Sequence, residues 1–482
     1  MNRGKTLFPL PGKKSLQLII DNLFNYAEIY NYFCDKLPKN QRRFVKHKCM
    51  KRSIEEKLLA WRNRNQLKPL ILKGARQVGK TWLMKDLGEK HFENFFYINF
   101  EKEPAFKTLF EADLNVNRII KTIESLNNIK FEDNKSIIIF DEIQEAPKAL
   151  SSLKYFAEDR PNLHVIAAGS LLGLVMDKGS FPVGKVDLIT IRPLSFEEFL
   201  MANNENGLVQ LLNDLDFDVI SAFRDRFIHW LRIYYIVGGM PEAVSSFVES
   251  NSFDEVRRIQ NSILAAYIQD FAKHAPPTLI PKIIDLWDSL VSQLAKENKK
   301  FVYGLIKTGA RAREYEQAID WLVNYGLIHK IYAVNKIAFP LQAYRDLKSF
   351  KLFVLDLGLL ANMANMNPNV ILKDNSFFQE FKGALSEQFV LQELITADAE
   401  NISYWTNDAG TAELDVVFEK NGCFYPVEVK ASENLLAKSL RVFHEKYPDI
   451  NCFRFSLSNF RKETWMTNLP LYALYKIFKI DI

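Results

Sequence analysis

Short apolar segments alternate with helical patterns of apolar residues between positions 68 and 196. The segments predicted as strands are residues 70–73, 95–100, 137–141, 163–168 and 186–191. The third is almost entirely apolar, which is typical of a strand buried on both faces of a parallel sheet. Strands that alternate with helices predict an α/β fold with a doubly wound parallel sheet.

The first predicted strand leads into a complete phosphate-binding loop. Residues 74–81 read Gly-Ala-Arg-Gln-Val-Gly-Lys-Thr, and a helical pattern follows them. Glycine at both ends lets the backbone N–H groups turn towards the phosphates of a nucleotide. Lys80 is predicted to reach the β- and γ-phosphates, and the Thr81 hydroxyl to bind Mg²⁺. The predicted nucleotide-binding residues are Gly74, Ala75, Arg76, Gln77, Val78, Gly79, Lys80, Thr81, Trp82, Asp141 and Ser170.

A second motif ends the third predicted strand with two carboxylates, Asp141 and Glu142. We expect Asp141 to bind Mg²⁺ together with Thr81, and Glu142 to orient and deprotonate an attacking water. Glu142 and Lys80 are therefore the predicted catalytic residues of an ATPase with ATP and Mg²⁺ as its cofactors. Ser170 follows the fourth strand, where a polar residue can contact the γ-phosphate or simply cap a helix.

The chain downstream of this predicted sheet turns helical and aromatic. Residues 197–281 suit a lid over the nucleotide, although Gly-Gly-Met-Pro-Glu at 238–242 also suits a tight turn between helices. Residues 282–345 have the order of a winged helix, with its wing at 327–341. Arg311 and Arg313, at the start of its third helix, are placed to touch DNA phosphates, or the segment serves only as an interface.

A hairpin is predicted near the end of the chain. Asn421-Gly422 separates two strand-like segments, which indicates a two-residue type I′ turn. The turn fixes the register, so that the numbers of opposed residues sum to 843. Asp415 then faces Glu428, with Cα atoms about 4.5 Å apart.

Two opposed carboxylates are destabilising unless a positive charge lies between them. We expect Glu413 to pair with Lys430, and a divalent cation to lie between Asp415 and Glu428. Two carboxylates and a lysine around Mg²⁺ or Mn²⁺ suit a metal-dependent phosphodiesterase. Glu387, in the helix before the hairpin, is a further candidate ligand. The alternative is a solvated hairpin face with one raised carboxyl pKa.

Composition restricts the class of protein. The chain has 482 residues, 48% of them hydrophobic and 25% charged, which is ordinary for a globular protein of about three domains. Four widely spaced cysteines argue against a zinc site or a disulfide scaffold and suit the cytoplasm. The longest apolar stretch, 163–176, is too short to span a bilayer, so no membrane partner is expected.

The net charge of +5 is concentrated in the first residues. Residues 1–50 carry ten Lys/Arg and three Asp/Glu, so the remainder carries −2. A basic arm can bind nucleic acid but is more often a solvated tail. Since Met50 opens a natural helix start, a misassigned start codon is a third interpretation, under which a protein beginning at Met50 should fold and hydrolyse ATP.

Several motifs together resemble a known family. They are the loop at 74–81, Phe-Asp-Glu-Ile-Gln at 140–144, Gly-Ser at 169–170, Ser-Phe-Pro-Val-Gly-Lys-Val at 180–186, Pro-Leu-Ser-Phe-Glu-Glu-Phe at 193–199 and Gly-Gly-Met-Pro-Glu at 238–242. From about Met50 onwards, the chain resembles bacterial and archaeal AAA+-like ATPases whose C-terminal domain, of unknown function, is similar to PD-(D/E)xK nucleases.

The resemblance implies roles for individual residues. It implies that the ATP site contains Gly79, Lys80, Thr81, Asp141 and Glu142. It also implies that Glu387, Asp415, Glu428 and Lys430 form a nuclease-like core, with Glu428 and Lys430 catalytic and the three carboxylates binding metal. Leu414 replaces the proline of the nuclease motif, which weakens the expectation of cleavage. Lys185 and Arg192 are candidates for cationic contacts to the γ-phosphate.

The sequence thus predicts a leader at 1–49, a P-loop ATPase core at 50–196, a lid at 197–281, a winged helix at 282–345 and a restriction-endonuclease-like α/β domain at 346–482. Two functions remain open at this point. One is an ATP-driven protein that acts on DNA or other nucleic acid through the C-terminal hairpin. The other is a nucleotide-dependent switch whose C-terminal domain only binds partners or forms homo-oligomers.

Overall fold

The computed structural model describes residues 50–170, 172–175, 181–182, 184–296, 299–373, 379–431 and 437–479. The predicted leader, 1–49, and Ser180 and Val183 of the predicted motif at 180–186 lie outside these residues. The chain divides into two compact units, Met1–Lys51 and Arg52–Ile482. All contacts given below lie within the second unit.

The helices of the second unit are distributed over its whole length. They are α1 Ile54–Arg62, α2 Lys80–His91, α3 Ala105–Ala112, α4 Val116–Asn127, α5 Pro147–Asp159, α6 Leu172–Val175, α7 Phe196–Ala202, α8 Asn206–Asp214, α9 Phe217–Ala222, α10 Arg224–Val237, α11 Pro241–Ser250, α12 Phe253–His274, α13 Ile280–Leu294, α14 Ala312–Tyr325, α15 Leu357–Met363, α16 Pro368–Lys373, α17 Gln379–Thr396 and α18 Lys438–Lys446. Short 3₁₀ helices cover Ile143–Glu145, Tyr303–Leu305, Leu341–Tyr344 and Leu471–Lys479.

A five-stranded parallel sheet forms the first layer of the molecule. Its strands are β1 Leu70–Lys73, β2 Asn94–Asn99, β3 Ser136–Asp141, β4 His164–Gly169 and β5 Asp187–Thr190, in the order β2-β3-β4-β1-β5. The sequence prediction of an α/β fold with a parallel sheet is confirmed. Apolar side chains of the central strands, such as Ile71, Phe140 and Val165, are buried against α4 and α5. Strand β4 lies between β1 and β3, so the ends of these three strands converge on one edge.

The segment from α7 to α11 is helical, as the sequence predicted. Ser195 caps α7 by accepting a hydrogen bond from Glu198 N, and Glu198 completes a capping box. Gly238 and Gly239 turn the chain between α10 and α11. A Cβ at Gly239 would lie 2.1 Å from Leu194 O, so the backbones at this turn touch. Asp356 accepts the Gly239 N–H at 2.7 Å and holds the turn against the start of α15.

An eight-stranded mixed sheet forms the second layer. Its strands are β6 Ile328–Val334, β7 Arg345–Val354, β8 Glu400–Thr406, β9 Glu413–Lys420, β10 Cys423–Val429, β11 Cys452–Ser456, β12 Arg461–Lys462 and β13 Met466–Pro470. Their order is β12-β13-β11-β10-β9-β8-β6-β7. The sheet therefore runs without a break from the predicted winged-helix segment to the end of the chain.

This continuity changes the interpretation of the predicted wing. Helices α13 and α14 and the antiparallel pair β6–β7 follow one another in the predicted order. However, β6 also pairs in parallel with β8, from Tyr332↔Ser403 to Val334↔Trp405. An isolated wing would leave the second edge of β6 unpaired, whereas β8 covers that edge. The predicted boundary between residues 345 and 346 thus falls inside one sheet.

Among the helices of the described ranges, none combines the length and the apolar character needed to cross a bilayer.

Candidate nucleotide site and C-terminal charge cluster

The phosphate-binding loop lies between β1 and α2, as the sequence predicted. Gly74 and Gly79 have φ values of 152° and 96°, and Gln77 also has a positive φ, 67°. A Cβ at Gly74 would lie 2.3 Å from Ile191 O, because β5 runs directly beside the loop. Glycine at position 74 is therefore required by the close approach of two backbone segments as well as by φ.

Lys80 is buried inside the loop. Its Nζ donates to Gly74 O at 2.9 Å and to Ala75 O at 2.7 Å. Burial lowers the pKa of the Lys80 ammonium to about 8, while Glu142 and Asp141 favour its charged form. When a nucleotide binds, its phosphate oxygens would replace the two loop carbonyl oxygens as hydrogen-bond partners of the Lys80 ammonium.

Thr81, in the first turn of α2, contacts Asp141 at the end of β3. Thr81 Oγ1 donates to Asp141 Oδ2 at 2.8 Å, and Tyr97 Oη donates to the same oxygen at 2.8 Å. A hydroxyl and a carboxylate are the oxygen ligands that Mg²⁺ prefers, so these residues fit that ion. The sequence analysis missed Tyr97, although its position on β2, the neighbour of β3, could have indicated it.

Glu142 has a left-handed backbone conformation, with φ 50°. Gln144 Nε2 donates to Glu142 Oε2 at 2.7 Å, and burial raises the pKa of the Glu142 carboxyl. The side-chain oxygen of Gln144, Oε1, lies beside Gly169 at the end of β4. Gln144 thus bridges the predicted catalytic carboxylate and the strand that carries Ser170. The role of Ser170 stays a prediction.

Two predicted cationic contacts are engaged elsewhere in this structure. Lys185 Nζ lies 2.9 Å from Glu158, and Arg192 Nη1 lies 3.0 Å from Asp398. Their contacts to the γ-phosphate stay a prediction. Arg76, in the loop itself, points out towards α12, where its Nη1 lies 2.6 Å from Asp270.

Arg52 is a buried contact of the loop that the sequence did not reveal. Its guanidinium donates to Val78 O at 3.4 Å and to Arg192 O at 2.7 Å, and it lies 3.3 Å from Glu198 in the first turn of α7. Ser53 donates both N–H and hydroxyl to Glu198. The segment before α1 therefore joins the loop to α7, and only the tertiary structure brings these residues together.

The C-terminal hairpin has the predicted register. Strands β9 and β10 pair from Cys423↔Lys420 to Val427↔Val416, and both turn residues have positive φ, Asn421 at 52° and Gly422 at 74°. The predicted turn and register are thus confirmed. Asp415 Oδ2 accepts the Val429 N–H at 2.7 Å, so it lies against the end of β10.

Lysines, however, pair with these carboxylates in an unexpected way. We define the charge cluster as Glu387, Glu413, Asp415, Glu428, Lys299, Lys351 and Lys430. Lys430 pairs with Glu428 at 2.5 Å, and Lys299 with Glu387 at 2.5 Å. Lys351 pairs with Glu413 at 2.6 Å and lies 3.9 Å from Glu387. The predicted Glu413–Lys430 pair is wrong, because Glu413 pairs with the buried Lys351 of β7 and Lys430 pairs with Glu428.

Of the predicted metal ligands of the cluster, Glu387 and Glu428 are buried and Asp415 is half-buried. Burial and the neighbouring Glu387 and Glu428 raise the pKa of the Asp415 carboxyl well above its usual range. Glu387 Oε2 and Glu428 Oε2 are buried and accept no hydrogen bond from the residues that the structure describes. Within the described ranges, no three His, Cys, Asp or Glu side chains converge in a geometry that could hold a metal ion. The predicted ligands are thus near one another but not arranged as a preformed metal site.

Comparisons with known proteins agree with the nucleotide site. Residues 66–200 match a family model described as an AAA domain. Residues 228–370 and 382–474 match two models, DUF8612 and DUF4143, each described as a domain of unknown function.

Curated relatives cover most of the chain. An uncharacterized protein of Methanocaldococcus jannaschii is 23% identical over 84% of this chain and 83% of its own length. An uncharacterized protein of Mycobacterium tuberculosis is 24% identical over 77% of this chain and 72% of its own length.

Solved structures with similarity include the Walker-type ATPase of Pyrococcus abyssi. It has a TM-score of 0.42 and 14% identity, over 65% of this chain and 96% of that one. The Orc1 protein of Aeropyrum pernix, solved in complex with DNA, has a TM-score of 0.26 and 12% identity, over 69% of this chain and 94% of that one.

The motif at 74–81, the carboxylates that end β3 and the family model point to the same chemistry. Residues 66–200 are an AAA-type, P-loop ATPase-like domain.

Proposed function

We propose that the chain binds ATP with Mg²⁺ and hydrolyses it. The observation that carries the proposal is the contact of Thr81 Oγ1 with Asp141 Oδ2, 2.8 Å long, beside the buried ammonium of Lys80. Thr81 and Asp141 would hold the ion, which when bound neutralises phosphate charge. Lys80 would exchange its loop carbonyls for the β- and γ-phosphate oxygens.

Glu142 is proposed to accept a proton from the attacking water. Its raised pKa makes the carboxylate a better base than an exposed glutamate, and Gln144 holds one of its oxygens in place. The other oxygen is left for water. This assignment requires that loss of the carboxylate affects turnover far more than binding.

The experiment compares Lys80→Ala and Glu142→Gln in the full chain. Lys80→Ala should weaken ATP binding, and Glu142→Gln should bind ATP but lose about 100-fold or more in turnover. Lys90→Ala and Glu145→Gln, which change exposed or half-buried charges nearby, are matched controls. Hydrolysis by Glu142→Gln at the parental rate would remove this carboxylate from the mechanism.

We propose as a second function that the charge cluster acts on nucleic acid, as a phosphodiesterase that depends on a divalent cation. The buried Glu428 Oε2, which accepts no hydrogen bond from the described residues, supports this proposal, because such an atom is costly unless a donor or a cation joins it. The described geometry lacks a three-carboxylate site, so we derive no catalytic step from it. Exposed Arg311 and Arg313 are the candidate contacts to a DNA backbone.

The test incubates linear, circular and single-stranded DNA, and RNA, with Mg²⁺ or Mn²⁺, with and without ATP. Lys430→Ala should abolish cleavage and spare ATP hydrolysis, whereas Lys438→Ala, an exposed lysine of α18, should change neither. Equal cleavage by Lys430→Ala would identify a contaminating nuclease. That result, together with ATP-dependent self-association, would favour a nucleotide-dependent switch instead.

A further inference from the structure

Arg76 leaves the phosphate-binding loop to contact a helix far away in sequence. It is the third residue of the loop, and its Nη1 lies 2.6 Å from Asp270 Oδ1 on α12. The Arg76 side chain is 42% exposed, whereas that of Asp270 is 5% exposed. A carboxylate buried to this degree needs donors, and Arg76 supplies a charged one.

Further contacts complete the attachment of the loop to these helices. Tyr325 Oη, at the end of α14, donates to Asp270 Oδ2 at 2.5 Å. Tyr267 Oη, one turn before Asp270, donates to Arg76 O at 3.0 Å. Asp270 thus accepts hydrogen bonds from both the Tyr325 hydroxyl and the Arg76 guanidinium. Arg76 is held through its side chain by Asp270 and through its backbone by Tyr267. We call Asp270 and Tyr325 the Arg76 latch.

The latch belongs to a packed aromatic unit. Phe271 of α12 lies edge-on to Trp287 of α13 and to Trp321 of α14, with ring centroids 5.7 and 5.6 Å apart. Trp321 in turn stacks on Tyr325 at 5.0 Å. Because these rings interlock, α12, α13 and α14 should move together when the latch opens.

Arg76 also lies next to a loop residue that contacts Lys80. It directly follows Ala75, whose carbonyl oxygen accepts a hydrogen bond from Lys80 Nζ at 2.7 Å. A γ-phosphate bound by Lys80 and facing Glu142 would therefore lie near Arg76. Phosphate carries more negative charge than the single Asp270 carboxylate, and a guanidinium can bind two of its oxygens at once.

We propose that Arg76 binds the γ-phosphate of ATP and that the Arg76 latch holds it back when no γ-phosphate is present. This inference rests on the proposed ATP site. Transfer of Arg76 from Asp270 to the γ-phosphate removes the side-chain contact between the loop and α12, while Tyr267 still donates to Arg76 O, and so transmits ATP binding to the helices before β6. ADP lacks the γ-phosphate and leaves the latch closed.

The experiment measures affinities for ADP and for a non-hydrolysable ATP analogue, both with Mg²⁺, by displacement of a fluorescent nucleotide. Arg76→Ala should weaken binding of the ATP analogue about 10-fold and change ADP affinity less than about 2-fold, as expected for one lost charge-assisted hydrogen bond. Asp270→Asn should strengthen binding of the ATP analogue relative to ADP. Combined with Arg76→Ala, it should add nothing further.

Tyr325→Phe and Arg258→Ala make the test specific. Tyr325→Phe keeps the Asp270 charge and should shift the preference in the same direction as Asp270→Asn, which secures the test if Asp270→Asn fails to melt cooperatively. Arg258→Ala removes an exposed arginine of α12 and should have no effect.

The outcomes separate this inference from the proposed ATP site. Equal loss of both nucleotides in Arg76→Ala, or an unchanged preference in both latch variants, overturns the latch while leaving ATP binding intact. Unchanged nucleotide binding in Lys80→Ala overturns the ATP site itself, and the latch with it.

Discussion

Glu393 gives the sharpest prediction, because it joins helix α17 to the start of α7. Its buried carboxylate accepts the Phe196 N–H at 2.9 Å, at the start of α7. Burial raises the pKa of Glu393 to about 8, and the neighbouring Glu198 and Glu197 contribute to the rise. At neutral pH the folded protein therefore keeps a proton on Glu393 that an unfolded chain would release.

The sign and magnitude of the effect follow from these two states. Between pH 4.5 and pH 8 the folded state binds the proton and the unfolded state does not, so the free energy of unfolding falls as pH rises. Over three pH units within this window, the loss is about 4 kcal/mol. Above pH 8 both states are ionised and the loss is complete. Glu393→Gln removes the titration but keeps an oxygen for Phe196 N.

The assay is urea unfolding of the parent and of Glu393→Gln at pH 5 and at pH 8. Because a chain of this size can unfold in steps, exchange of the Phe196 amide, corrected for its intrinsic pH dependence, identifies the relevant transition. The variant should gain stability relative to the parent by about 4 kcal/mol between the two pH values. Other ionisable groups are common to both proteins and cancel. Parallel pH dependence of the two proteins would refute a neutral, buried Glu393.

Two further predictions concern glycine-to-alanine substitutions at different positions, which should have opposite effects on stability. Gly74→Ala should destabilise the protein by about 2–6 kcal/mol and abolish nucleotide binding, because its Cβ would lie 2.3 Å from Ile191 O at a φ of 152°. Gly383→Ala, in α17, places a Cβ that meets no atom of the described residues within 4 Å, and it should stabilise the protein by about 0.5–1 kcal/mol. Thermal melts and nucleotide displacement measure both, and equal melting temperatures for the two variants would contradict the steric argument.

The sequence alone determined the features that depend on neighbours along the chain. Apolar runs predicted the ends of the strands of the parallel sheet to within one residue. The loop at 74–81 predicted the position of Lys80 and Thr81, because strand, loop and helix follow one another directly. Asn421-Gly422 predicted the hairpin register, since a two-residue turn leaves one pairing.

The tertiary structure decided the features that join distant segments. Lys351 reaches Glu413, Arg76 reaches Asp270 and Arg52 reaches Val78, and each of these contacts depends on how whole helices and strands pack. Local spacing indicated that a positive charge was needed at the hairpin but could not distinguish a buried lysine from a metal ion. Likewise β6 was predicted as part of a wing. Its pairing with β8 covers the second edge of β6, and the local sequence pattern does not indicate which strand pairs at that edge. Residues adjacent in the sequence thus determine local backbone geometry. The need to pair buried charges and to cover sheet edges determines which distant residues and strands contact one another.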